Sequence, residues 1–161
     1  MRKVKLIIAL KHEVHPDTDF KIKAMIKGIQ LRTRSKYYHS EIIIEDRWVS
    51  SDFDGKGVRI SPLRPLKPNW EYIDLGEVYV TDEQYEKIWK WIEAQVGQGY
   101  DFLAIAMSQL FNLNWHSKDK WICSEITSKI AQLFLVLEYL NINPNQISPA
   151  DIAKIHKLPL N

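Results

Sequence analysis

Cys123 is the only cysteine in the chain. It follows Trp121-Ile122 directly and opens a stretch in which Ile126, Ile130, Leu133, Phe134, Leu137 and Leu140 recur at helical spacing. A thiol in the first turn of a helix feels the positive end of the helix dipole, which lowers its pKa and favours the nucleophilic thiolate. A lone cysteine among apolar neighbours is more often an inert core residue. Chemistry at Cys123 therefore requires two further groups: a base within hydrogen-bond reach of the sulfur, and a third group that orients the base.

There are five histidines to choose from. His12 and His15 flank the end of an expected first strand, and His156 falls in an expected last helix. His116 lies close before Cys123 in a polar loop and is one candidate base. His39 is the other. It opens the β-branched stretch Ile42-Ile43-Ile44, and a strand holds an imidazole more rigidly than a loop does. If Asp46-Arg47 is the turn of a hairpin, Glu41 faces Asp52 and His39 faces Asp54. Side chains two apart on a strand share a face, so His39, Glu41, Asp52 and Asp54 project together. Asp54 is then the expected orienter and Asp52 the alternative, although both can also be read as turn residues beside Gly55.

The elements that must position these groups are legible in outline. Lys5 to Leu10 reads as a buried strand. Asp17 or Thr18 can cap a helix through Phe20, Ala24, Met25, Ile26 and Ile29. Tyr38 to Ile60 reads as a hairpin, followed by an irregular crossing with Pro62, Pro65 and Pro68 and a further strand from Glu77 to Val80. Thr81-Asp82-Glu83-Gln84 is a capping box, and the helix it opens places Tyr85, Ile88, Trp89 and Ile92 on one face before Gly97 and Gly99. A short apolar helix from Phe102 to Phe111, the helix opened by Cys123 and a last one capped by Ser148-Pro149 complete the order. Strand, helix, strands and then helices imply an α+β fold, with an antiparallel sheet packed against helices.

Length and composition bound the rest. A chain of 161 residues with 45% hydrophobic residues suits a single domain, 1–161. The net charge of +2 argues against nucleic acid as a partner. The denser basic run, Lys21, Lys23, Lys27, Arg32, Arg34 and Lys36, reads as a solvated helix face and loop. One cysteine excludes an intrachain disulfide and a structural zinc site of several thiolates. The apolar run Leu6 to Leu10 is shorter than a signal-peptide core, and no stretch approaches the ~20 apolar residues of a transmembrane segment. A free thiol then fits a cytoplasmic protein.

Tyr38-His39-Ser40-Glu41-Ile42, Ser50-Ser51, Gly57-Val58-Arg59, Gly99-Tyr100-Asp101, Trp121-Ile122-Cys123-Ser124-Glu125 and Ser148-Pro149-Ala150-Asp151 recur in an order that resembles a known family. It is the circularly permuted branch of the NlpC papain-like superfamily, the YiiX-like proteins and their phage relatives. In that branch the His strand precedes the Cys helix, as it does here, and the resemblance runs from about Tyr37 to Asp151. It implies a permuted papain-like fold and a cysteine hydrolase acting on amide bonds through a thioester, with Cys123 as nucleophile and His39 as base. The family's third residue is commonly Glu; here the match is Asp54 or Asp52. Tyr100 and Trp121 are the expected substrate-binding aromatics. The substrate would be a peptide, a peptidoglycan fragment or a lipid-like acyl compound, with no metal or organic cofactor. A lipid acyltransferase or thioesterase on the same site, a non-catalytic binding protein that retains the fold, and a phage accessory protein that binds a host factor are the alternatives.

Overall fold

The computed structural model describes residues 1–52, 57–100 and 120–161. Five strands, β1 (Arg2–Lys11), β2 (His39–Ile44), β3 (Arg47–Asp52), β4 (Gly57–Pro62) and β5 (Trp70–Val80), form one sheet in the order β4-β3-β2-β1-β5. Every neighbouring pair is antiparallel. Four helices accompany it among the described residues: α1 (Phe20–Thr33), α2 (Asp82–Gln95), α3 (Cys123–Leu133) and α4 (Pro149–Ile155). A two-residue parallel pair, Gly99–Tyr100 with Lys120–Trp121, lies beside them. The α+β class and the antiparallel sheet are those the residue pattern implies, although β5 begins at Trp70, well before Glu77.

Alternation along β2 sorts its side chains. Ile42 and Ile44 enter the main core with Leu6, Ile8, Val49, Ile126 and Ile130, while Ile43 joins Ala9 and Trp48 in a smaller cluster. Ser40 donates to Thr127 Oγ1 of α3 at 3.4 Å. The face that α3 turns inward is rich in small residues, with Ser124, Thr127, Ser128 and Ala131 all buried. Their hydroxyls find partners at once: Ser124 donates to the Ile147 carbonyl at 2.7 Å and Ser128 to the Ser124 carbonyl at 2.7 Å. Small, internally satisfied side chains let a helix backbone approach a sheet closely without leaving polar groups unpaired. That approach brings the first residue of α3 to the first residue of β2.

Two expectations are corrected. The β2–β3 turn is Glu45-Asp46 rather than Asp46-Arg47, because Ile44 pairs with Arg47 and Ile42 with Val49. Glu45 adopts φ +56°, the positive first central angle of a type II′ turn. Its side chain is pinned there, accepting from Tyr85 Oη at 2.6 Å and from Arg2 at 3.3 Å. The Cys123 helix also stops at Leu133 and does not reach Leu140. Leu135 turns left-handed at φ +58°; its N–H bonds the Gln132 carbonyl, and the Val136 N–H bonds that of Ala131. This is a Schellman stop built without glycine.

Candidate active site

α3 begins at Cys123 after Ile122 in extended conformation. Ile122 has no side-chain acceptor, so only half of a reciprocal cap forms: the Ile122 N–H donates to Glu125 Oε2 at 2.9 Å. The Cys123 sulfur is almost fully buried, in a cluster with Ile26 and Ile29 of α1, Tyr38, Tyr100 and Ile122. The expected solvated helix of the basic run therefore has a second face. Its apolar stripe, extended by Ile22 and Met25, walls the thiol. Sequence reading assigned α1 no part in the site, and the signal for it was the i, i+3, i+4 spacing of those same residues.

His39, the first residue of β2, is only 3% exposed. Its imidazole and the Cys123 thiol interact electrostatically, each shifting the other's titration. Its Nε2 lies 3.0 Å from Asp52 Oδ1 and 3.2 Å from Glu41 Oε1. With both carboxylates on Nε2, Nδ1 is the nitrogen left for sulfur. The corrected turn explains the partner. Extended to the strand ends, the β2–β3 register sets His39 across from Asp52. Moving the turn by one residue slips the pairing by two, which keeps side chains on their faces. His39, Glu41 and Asp52 thus converge, with Asp52 in the place expected for Asp54. Asp54 itself lies outside the described residues, as do His116 and the segment from Phe102 to Phe111.

Each carboxylate is held in turn. Asp52 pairs with Arg59 and accepts from Ser50 Oγ at 3.3 Å, and Glu41, buried, pairs with Arg64. The charges set the titration. For Asp52, burial works against ionisation, but the bond to His39, the charge on His39 and Arg59 outweigh it and hold the carboxyl down at about 2. Burial likewise disfavours imidazolium at His39. The thiolate and the two carboxylates overcome it, and the His39 pKa is raised well above the ordinary value. At Cys123, burial pushes the thiol up while His39, the Ser40 backbone and Tyr100 pull it down, with a net lowering. Both directions favour a thiolate–imidazolium pair.

Tyr100 donates its hydroxyl toward the Cys123 sulfur at 3.8 Å. Burial and the neighbouring thiolate raise its pKa well above the ordinary phenol value, so it stays a donor. Trp121 packs against the main core. Its Nε1–H donates to Gln98 at 2.8 Å and to Gln95 at 3.1 Å, and its ring meets Trp91 edge-on at 5.6 Å. That anchor depends on Gly57, whose φ is +62° and where a Cβ would fall 1.9 Å from the Gln98 carbonyl oxygen. His39, Glu41 and Asp52 also have the spacing to chelate a cation, with one ligand atom from each lying within 4.8 Å of the others. Arg59 and Arg64 already supply positive charge to those carboxylates.

No family model, curated protein or solved structure matches the chain. Among the described residues, no helix is long and apolar enough to cross a membrane.

Proposed function

We propose that this protein is a cysteine hydrolase of permuted papain-like type, cleaving an amide bond through a thioester on Cys123. The observation that carries the reading is the buried His39 with Asp52 Oδ1 3.0 Å from its Nε2, interacting electrostatically with the buried Cys123 thiol. A structural cysteine in an apolar core has a raised pKa; this one is lowered although it is buried.

The thiolate attacks the carbonyl carbon and forms a C–S bond, and the carbonyl electrons move to oxygen. The α3 N-terminus, including the Cys123 N–H, and the Tyr100 hydroxyl are the donors suited to that oxyanion. Its collapse breaks the C–N bond while the imidazolium at His39 gives its proton to the leaving nitrogen. His39, now neutral, takes a proton from water as that water attacks the thioester. The acid leaves and the thiolate–imidazolium pair is restored. Asp52 keeps Nε2 protonated and stabilises the imidazolium, so that Nδ1 is the nitrogen that exchanges protons.

A thioesterase or lipid acyltransferase differs in the acyl donor and in what resolves the thioester. The apolar α1 wall beside Cys123 favours such an acyl group over a polar one. A free thiol of this kind fits a cytoplasmic setting. The test is intact-protein mass spectrometry after incubation with activated amide, ester and thioester donors. The expected result is a hydroxylamine-sensitive acyl adduct on Cys123 that is absent in Cys123→Ala. No adduct from any donor, together with alkylation following an ordinary thiol pKa, would leave a non-catalytic binding protein.

A further inference from the structure

Beside His39 lies a cavity of about 210 Å³ lined by Lys11, Tyr38, His39, Glu41, Asp52, Arg59, Arg64 and Trp70. Backbone pairing builds it. Lys11 of β1 pairs with His39 of β2 on one side and with Trp70 of β5 on the other. In antiparallel strands, directly paired residues point to the same face, so imidazole, ammonium and indole stand in one row. The volume equals about seven waters at ~30 Å³ each. That is room for a small organic anion and more than a bare ion needs.

The charges around it do not cancel. Lys11, Arg59, Arg64 and the His39 imidazolium face Glu41 and Asp52, so cations outnumber carboxylates. Arg59 is taken up by Asp52 and Arg64 by Glu41. The ammonium of Lys11, half buried, makes no hydrogen bond or ion pair among the described residues and stands 5.6 Å from the centre of the Trp70 ring. Arg64 is fixed by its guanidinium lying 4.3 Å over Trp48, and its buried Nε–H has no acceptor among the described residues. Burial lowers the Lys11 pKa, and the charges of Asp52 and Glu41 only partly offset this. An unpaired ammonium and a guanidinium on one small cavity with an aromatic wall make a site for an oxyanion.

We infer that this cavity binds the carboxylate or phosphate of a small anionic ligand, through Lys11 and Arg64, with Trp70 as its wall. The inference stands beside the proposed hydrolase and does not rest on it.

Binding is measured on the full chain with inorganic phosphate and, separately, with succinate, each against chloride at equal ionic strength. Calorimetry gives the affinity, and nitrogen-15 NMR of the Trp indole and Arg Nε–H groups gives the place. The expected result is saturable binding of at least one anion, with shifts at Trp70 and Arg64. Binding should weaken about tenfold or more in Lys11→Gln, the loss of one charge-assisted hydrogen bond, and stay unchanged in Lys157→Gln, an exposed control. Phosphate alone or succinate alone would support the site and fix its class. No saturable binding of either, or shifts in the wild-type protein that avoid Trp70 and Arg64, would overturn it. So would equal affinity in Lys11→Gln and Lys157→Gln. Because the readout is binding, the outcome is independent of whether Cys123 turns anything over.

Discussion

Two histidines sit beside tyrosines at separate places in this molecule, and they are driven in opposite directions. His156 caps α4 and is hydrogen-bonded to Tyr139 Oη at 3.0 Å, the rings 5.8 Å apart. Burial lowers its pKa, and the charge of Glu138 only partly restores it. His39 is more deeply buried, yet its pKa is raised, because two carboxylates and a thiol surround it. Burial by itself makes a neutral, structural imidazole. Burial with compensating anions makes one that holds a proton and can deliver it. The proposed function follows from that difference in partners.

The largest expected effect separates the two histidines outright. His39→Ala should reduce acyl transfer by about 10³-fold or more, as Cys123→Ala does, since members of such a site act as a unit. His156→Ala should leave the rate within about twofold once folding is controlled. The measurement is single-turnover acylation followed by mass spectrometry. Comparable losses for the two histidine variants would erase the contrast.

The next effect tests the carboxylates. Asp52→Asn should slow turnover by about 10²- to 10⁴-fold by releasing the imidazole tautomer, and Glu41→Gln, at the longer contact, should slow it less. Asp54→Asn should match Asp46→Asn, a turn control whose side chain is 82% exposed. A larger loss at Asp54 than at Asp52 would restore the original assignment.

A pH series sharpens the same point. Iodoacetamide should react with Cys123 well below the ordinary thiol range, and His39→Ala should move the profile upward. Asp52 adds an acid limb to stability. Its folded pKa of about 2 lies below its ordinary value of 3.8. The stabilisation is therefore present above about pH 4 and lost as pH falls toward 2. At neutral pH it is worth about 2 kcal/mol. Denaturant midpoints for wild type and Asp52→Asn should differ at pH 6 and converge near pH 2.

What could be read in the residues and what could not divides along physical lines. Thr81-Gln84 and Ser148-Asp151 form the reciprocal caps that their spacing implies, because a cap is settled within four residues. The Glu45 turn was misplaced because nothing local favours glutamate at positive φ. Tyr85 and Arg2, some forty residues away on either side, hold it there. The Schellman stop at Leu135 was missed for the same reason, since no glycine marks it. The pairing of acids with His39 survived the misplaced turn only because a slip of two preserves the face. The α1 wall was missed because the stripe was weighed by its charges, and the hidden side of a helix shows only in what it packs against.

The smallest expected effect lies at His156, and its sign is the sharpest check on the comparison. Burial lowers the His156 pKa and the charge of Glu138 only partly restores it; its Nε2 stands 3.0 Å from Tyr139 Oη. Protonating the imidazole puts a charge into a partly buried place. The folded state therefore resists the proton that the unfolded chain takes up near pH 6.5. A group with a lowered folded pKa costs stability as pH falls below its unfolded value. His39 has the opposite sign, and its contribution is complete below that pH. Between pH 7.5 and 5.5 the wild type should lose stability from this one group. Urea midpoints should show the loss, and His156→Gln should show a flatter slope over the same interval while its thiol profile stays that of the wild type. A steeper slope in His156→Gln would mean that His156 is charged in the folded protein, and the two histidines would then differ in degree and not in kind.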